Sequence, residues 1–533
     1  MERDPRLGKR PFRTVGWVGH SESGWLCALS EDQRIVVRRR ERGYNRAMCG
    51  QQNMRAGGRF RPCRVLLVAA CVLTSSLGLG ADDPNGILPS ENVWTRVSPS
   101  VIWCGVRDST TTIEAHIVGR TDVVGVRIVG PNETFTLYDD GTHGDPLAGD
   151  FAFTLAGACP YCHTGLSLKY GGTIGSWLGT VEATLANGTT LIDEKPIRIG
   201  LAAPRYRGKA EVVYFDSGLS ATSYAFFLQD IDCAVFDGYP VSSTDPRAAS
   251  RAALRAFYSI FPDAFDLAIV MPGRTMFSSD GFKETSSQTL RTANNVEHIG
   301  VPMYNNAASC GSAGRLRGVV VQPFGSIDLL DSEVLNVWGI DIGVPFGLAQ
   351  PAGPGSLFWN PQSDVGGQLA SYCISEDGVV GRLASSGDGT WRLVPVSENE
   401  PYAPLELYIM GLVPAEDVPP MHILSEPDLT HSERIAAASV ETVTIEDIIA
   451  AYGGARYPTF DESQKAFSGA FIVVQDDPFT DAEYVYYSLL SYHLMSRNSP
   501  EEFDQYAPFA WATGGRATLD TRLPVDAKPI LKP

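Results

Sequence analysis

Between residues 101 and 201 apolar and polar positions alternate with period two. Ile113, Ala115 and Ile117 form one run, followed by Val124, Val126 and Ile128, then Phe135 and Leu137, then Phe151, Phe153 and Leu155, then Val181, Ala183 and Leu185. Alternation puts every second side chain on one face of an extended chain, so each run predicts a half-buried strand. Turn residues separate the runs at Gly130-Pro131-Asn132, Asp140-Gly141 and Asn187-Gly188. Strands punctuated in this way predict an antiparallel sandwich, Ig-like in architecture, over residues 87–202.

Residues 203–208, Ala-Pro-Arg-Tyr-Arg-Gly, interrupt the alternation and predict a linker. The period then changes. Residues 211–215 predict a strand, and Thr244-Asp245-Pro246 opens a helix striped by Leu254, Phe257, Tyr258 and Phe261. Residues 266–271 and 318–321 are continuous apolar runs that predict buried strands. Ile327, Leu330, Val334, Val337 and Trp338 recur at helical spacing, and residues 444–452 and 481–495 predict two further helices. Strands mixed with helices predict an α+β domain over residues 209–525, so the fold class expected is multidomain: β-sandwich followed by α+β.

The amino-terminal segment changes the picture of the compartment. Residues 65–80 form an apolar run behind Arg55, Arg59, Arg61 and Arg64, ending in small residues near Ala81. The run is shorter than the ~20 residues that cross a bilayer, which predicts a signal peptide over residues 54–81 and no transmembrane span in the mature chain. Residues 1–53 read as a non-structural or wrongly assigned extension. The destination expected is secreted or cell envelope, with a lipoprotein processed at Cys71 as the alternative. Export permits disulfides among the six later cysteines, and Cys159-Pro160-Tyr161-Cys162 reads as a loop staple or as two independent thiols.

Charge excludes one class of partner. The net charge is −18, but residues 1–64 carry 15 Lys+Arg against 6 Asp+Glu, leaving 28 against 55, or −27, for the rest. A body of that sign repels phosphate backbones, so no nucleic-acid partner is expected.

Two stretches carry candidate chemistry. The loop over residues 137–150 gathers Asp139, Asp140, Asp145 and Asp150 on glycine turns, where carboxylates cap turns or, alternatively, hold calcium. The second is Ser332-Glu333-Val334-Leu335-Asn336, which has the outline of a zinc-peptidase helix. His-Glu-x-x-His puts two imidazoles on one helical face beside a general base, whereas hydroxyl and amide oxygens are poor zinc ligands. No two of the eight histidines lie within five residues of each other, so no substitute pair exists. Neither Gly-x-Ser-x-Gly nor a phosphate loop occurs, and Ser309-Cys310-Gly311-Ser312 reads as a turn.

Residues 332–338, residues 402–414 with Val418-Pro419-Pro420, and residues 512–517 together make the chain resemble secreted bacterial proteins in which an Ig-like module precedes a zincin-like domain. The resemblance implies a zincin-like fold for residues 209–525 and a helix reading His-Glu-x-x-His-x-Trp, from which this chain departs at Ser332 and Asn336. It makes Glu333 a vestigial general base and Glu406 a candidate remaining ligand. The function it implies is an exported peptidase-like protein with a degenerate zinc centre, acting by binding extracellular protein or peptide. An active metallohydrolase with non-standard ligands and a surface or matrix adhesion module are the alternatives. No cofactor is expected, zinc included, with calcium on the acidic loop as the exception to weigh.

Overall fold

The computed structural model describes residues 87–88 and 93–531, except 118, 162–171, 194–195, 217, 231–247, 274–286, 323–329, 354–355, 396–399 and 498–507. The signal segment, the amino-terminal extension, Cys162, Cys233 and the start of the helix expected at Thr244 lie outside the described residues.

Ten strands build the first part: β1 (Ile87–Leu88), β2 (Val93–Ser98), β3 (Val101–Trp103), β4 (Thr111–Ile117), β5 (Val123–Val129), β6 (Thr134–Leu137), β7 (Ala152–Ala158), β8 (Ile174–Leu185), β9 (Thr190–Asp193) and β10 (Ile197–Ala202). β2, β4 and β7 form one sheet; the other seven form a second around β8. The first half of β8 pairs with β10 and the second half with β5 and β9. Side chains of both sheets meet in one core, with Val97, Ile113 and Phe153 from the smaller sheet facing Ile128, Trp177 and Val181 from the larger. A Cβ on Gly130 would come within 2.2 Å of the Trp177 ring, so only glycine lets the backbone pass that close.

The alternation in β5 is not continuous. The pairing of β5 with β8 shifts between Val123 and Gly125, and the irregularity turns Val123 and Val126 inward while leaving Val124 63% exposed. Phe151 likewise precedes its strand, at a φ of 64°, rather than opening its inward face.

The second part is organised on an eight-stranded sheet. The strands of that sheet and the helices, in chain order, are β11 (Val213–Asp216), β12 (Leu219–Ala221), β13 (Phe226–Gln229), α1 (Ala248–Ile260), β14 (Leu267–Pro272), β15 (Gln288–Arg291), β16 (Gly318–Val321), α2 (Leu330–Trp338), α3 (Pro404–Met410), α4 (Ile445–Ala451), β17 (Ala466–Gln475), α5 (Asp481–Leu494), α6 (Phe509–Ala512) and β18 (Thr518–Asp520). The strand order is β11-β12-β13-β17-β14-β16-β15, with β18 alongside the start of β17. β13, β17, β14 and β16 run parallel, while β15 is antiparallel and ends the sheet. The parallel strands are buried on both faces, which is why β14 reads as an unbroken apolar run. Ala268 and Val270 meet α1 on one face; Leu267 and Ile269 share a core with α2, α3 and α5 on the other. The chain is thus β-rich and multidomain. Among the described residues no helix is long and apolar enough to cross a membrane.

The residues expected to form a linker are packed instead. Pro204–Tyr206 is a short 3-10 turn, Tyr206 is buried in the core of the second part, and Gly208 N donates to Asp481 Oδ2 at 2.8 Å. Val101, Trp103, Ile174 and Ala202 of the sandwich join that same core, against α5. Polar contacts seal the junction: Arg96 donates to both oxygens of Asp477, at 2.8 and 2.7 Å, and Ser98 Oγ donates to it at 2.8 Å.

Glu483 sits at the centre of this junction. The Thr480 N–H, at 2.8 Å, and hydroxyl donate to its Oε2, closing a capping box at the start of α5. Its Oε1 accepts from the backbone N and hydroxyl of Ser100, across the junction, at 3.1 and 2.9 Å. Burial pushes its carboxyl above the ordinary range, and the Thr480 and Ser100 donors oppose that shift. Glu483→Ala strands several buried donors at about 1–3 kcal/mol each, whereas Thr480→Ala removes a cap worth roughly 1 kcal/mol. Thermal melting by circular dichroism is expected to show a much larger fall for Glu483→Ala than for Thr480→Ala.

Candidate functional site

α2 forms where the sequence places it because Leu330, Val334, Leu335, Val337 and Trp338 are buried on one side and two acids occupy the first turn, favoured there by the helix dipole. It stops at Gly339, whose φ of 82° is a left-handed conformation, with Gly339 N donating to Leu335 O. The helix lies on β15 and β16. A Cβ on Gly318 would meet Val337 at 2.4 Å, so the glycine sets how closely helix and strand approach.

Ser332, Glu333 and Asn336 are half-buried together on one face of α2. Ser332 Oγ donates to the Gln368 carbonyl at 2.9 Å. Asn336 Nδ2 donates to Glu333 Oε2 at 3.3 Å, and the Thr289 hydroxyl on β15 reaches both that carboxylate and the Glu333 carbonyl. Burial pushes the Glu333 carboxyl up, while Thr289 and Asn336 pull it down. The three residues that match the motif are therefore brought together, but each is engaged with protein.

Glu406, the candidate remaining ligand, is fully buried and holds backbone. Its Oε1 accepts from Trp359 Nε1 at 2.8 Å and Leu369 N at 3.0 Å; its Oε2 accepts from Gln368 N at 3.0 Å and Ala403 N at 2.8 Å. Burial pushes its carboxyl up to about 7 against the pull of these four donors. With four N–H groups on two oxygens, little lone-pair capacity is left for a metal. Ser332 and Asn336 offer neutral oxygens, so this donor set does not fit zinc. Met410, behind it, is a core residue, and Tyr408 accepts a bond from Arg456 N through its hydroxyl.

Several participants carry no signal in the sequence. Thr289 and Gln368 sit 44 residues before Glu333 and 36 after Ser332, respectively, in segments without motif character. Asp331 is the third. Its side chain is buried, its Oδ1 has no partner among the described residues, and the Tyr402 hydroxyl donates to its backbone carbonyl at 2.8 Å.

The acidic loop is a web of turn caps. Asp139 accepts from the backbone N of Gly149, Asp150 and Phe151; Asp145 accepts from Gly141 and Leu147; Asp150 accepts from Ala152. Carboxylate oxygens of Asp139, Asp145 and Asp150 lie within 4.8 Å of one another. Asp140 is not part of that group: it accepts from the Thr142 hydroxyl and N–H, which hold its carboxyl below the usual range. Of the cysteines, Cys159 is disulfide-bonded, whereas Cys104, Cys310 and Cys373 are reduced thiols. Cys310 lies buried in a 3-10 turn, and His298 turns its Nδ1 to the Tyr452 carbonyl.

Compared with known proteins, the chain matches no family model, no curated protein and no solved structure.

Two measurements probe these environments. Burial pushes Asp331 up to about 8, so between its unfolded value and about pH 8 the folded state binds the extra proton. Stability then falls as pH rises through that window, by at most about 1.4 kcal/mol per pH unit, and levels off above it. Asp331→Asn is expected to gain steadily on the wild type in urea melts between pH 5 and 8. In the loop, Asp139→Ala removes the acceptor of three N–H groups that are exposed or half-buried, and is expected to cost about 0.5–1.5 kcal/mol. Chelator is expected to leave the wild-type melting temperature unchanged; a rise on adding calcium that Asp139→Ala and Asp150→Ala abolish would assign the loop to the ion instead.

Proposed function

We propose that this is an exported peptidase-like protein, a β-sandwich joined to a zincin-like domain, whose zinc centre has degenerated and which acts by binding an extended stretch of protein or peptide. The observation that carries the reading is the state of the motif positions. Ser332 and Asn336 stand where the resemblance expects imidazoles, and both are tied to protein neighbours, Gln368 and Glu333. Glu406 is spent on backbone N–H groups. Without a metal, a water at its ordinary pKa is a poor nucleophile at neutral pH, and Glu333 has nothing to activate.

Binding survives that loss for a physical reason. β15 ends the sheet and pairs with β16 alone among the described strands, so its outer edge has backbone groups to offer an extended segment. Thr289 ties this strand to Glu333, placing the edge beside the degenerate helix. Main-chain pairing supplies affinity there without zinc.

The test has two arms. Elemental analysis of the purified protein is expected to find no stoichiometric zinc, and digestion of a peptide library is expected to show no cleavage that depends on Glu333. Peptides retained from the same library are expected to slow hydrogen exchange at residues 288–291. One zinc per chain, or cleavage abolished by Glu333→Gln, would overturn the reading in favour of a live metallohydrolase; retention without protection of β15 would move the binding surface elsewhere.

A further inference from the structure

At the amino-terminal ends of β14 and β16 the structure opens a cleft of about 470 Å³, whose lining includes Asp266, Asn294, Asn295, Arg315, Arg317 and Gln464. None of Ser332, Glu333 or Asn336 lines it, so it is separate from the site on α2. The cleft holds two guanidinium groups and one carboxylate. That carboxylate is already committed: Asp266 accepts from Arg315 at 3.2 Å, from Gln464 Nε2 at 2.9 Å, and from the N–H and hydroxyl of Ser468, each at 2.9 Å.

Arg317 is therefore left short of acceptors. A guanidinium carries five N–H donors. Among the described residues the Arg317 guanidinium makes one hydrogen bond, to Gln464 Oε1 at 3.2 Å, and its carbon lies 6.0 Å from the centre of the Trp338 ring. The ring offsets part of the cost of burying the charge. Burial is nevertheless the first cause that lowers the Arg317 pKa; the Asp266 carboxylate opposes that shift, and the neighbouring Arg315 adds to it. Arg456 also feels the Arg317 charge, and its guanidinium donates to neutral oxygens of Ile409, Pro458 and Ser463. This local excess of cations sits in a chain whose part beyond residue 64 carries −27.

A concave site, donors in excess of acceptors, and cations gathered against the sign of the surrounding protein are complementary to an anion. We propose that this cleft binds an oxyanion, a carboxylate or a sulfate or phosphate group carried on a small molecule, with Arg317 and the exposed side of Arg315 as its donors. The cleft is wider than a bare oxyanion, and Asn295 and Asn305 stand at its wall to meet polar parts of the molecule that carries it.

Calorimetry and thermal melting of the full chain decide the matter, using sodium citrate, sodium sulfate and sodium phosphate against sodium chloride at matched ionic strength. At least one oxyanion is expected to bind saturably and raise the melting temperature, with chloride inert. Arg317→Gln is expected to weaken that binding at least tenfold. Asn295→Asp, which adds a carboxylate at an exposed position of the wall, is expected to weaken it comparably and serves as the deciding variant should Arg317→Gln fail to fold. Binding of citrate alone assigns a carboxylated ligand, and binding of sulfate or phosphate assigns the other source. Absence of saturable binding for all three, or affinity unchanged in Asn295→Asp and in folded Arg317→Gln, overturns the proposal.

Discussion

Two buried glutamates hold this protein together without a cation. Glu406 and Glu483 are both inaccessible to solvent, and neither takes part in an ion pair among the described residues. Each is satisfied instead by N–H and O–H donors brought from separate stretches of chain: residues 359, 368, 369 and 403 for one, residues 100, 475 and 480 for the other. A buried carboxylate with full hydrogen bonding is tolerable, and one stripped of its donors is costly, so these contacts are cooperative by nature. Glu406 fixes the loop under α2 to α3. Glu483 fixes the sandwich to α5.

The same physics governs the surroundings of Glu333 on α2. A catalytic carboxylate is useful when its partners leave it room to exchange a proton with substrate or metal-bound water. Around α2 the acceptors and donors close on one another: Ser332 on Gln368, Asn336 and Thr289 on Glu333. Two imidazoles at those positions would present ring nitrogens instead of short hydrogen-bonding groups, and Gln368 would have to yield. The helix thus keeps Ser332, Glu333 and Asn336 on one face while their polar groups are committed to protein neighbours.

Much of this architecture is legible in the sequence because it is local. Period-two runs mark the strands of the sandwich, the unbroken apolar stretch of β14 marks a strand buried on both sides, and Leu254, Phe257 and Phe261 mark the buried stripe of α1. What escapes is whatever depends on contacts far along the chain. The inward face of β5 is set by an irregular pairing with β8, so Val124 points out although the alternation says otherwise. Residues 203–208 have the composition of a linker, yet Tyr206 finds a hydrophobic site that only the folded second part supplies. Glu406 has the residue type of a ligand; three of the four N–H groups that claim it come from residues 359–369, a glycine-containing segment whose shape no periodicity reveals.

The packed turn at Pro204–Tyr206 has a consequence for how such a protein can change over time. Modules that pass between unrelated chains must carry a closed surface with them, since any apolar area uncovered at the cut is exposed in the new context. Here the sandwich contributes Val101, Trp103, Ile174 and Ala202 to the neighbouring core, where its strands β3, β8 and β10 pack on α5. Shuffled alone, the sandwich would export a sticky face, and the sheet left behind would lose a wall. The two parts are therefore bound to a shared inheritance, free to diverge in their loops but not to part company.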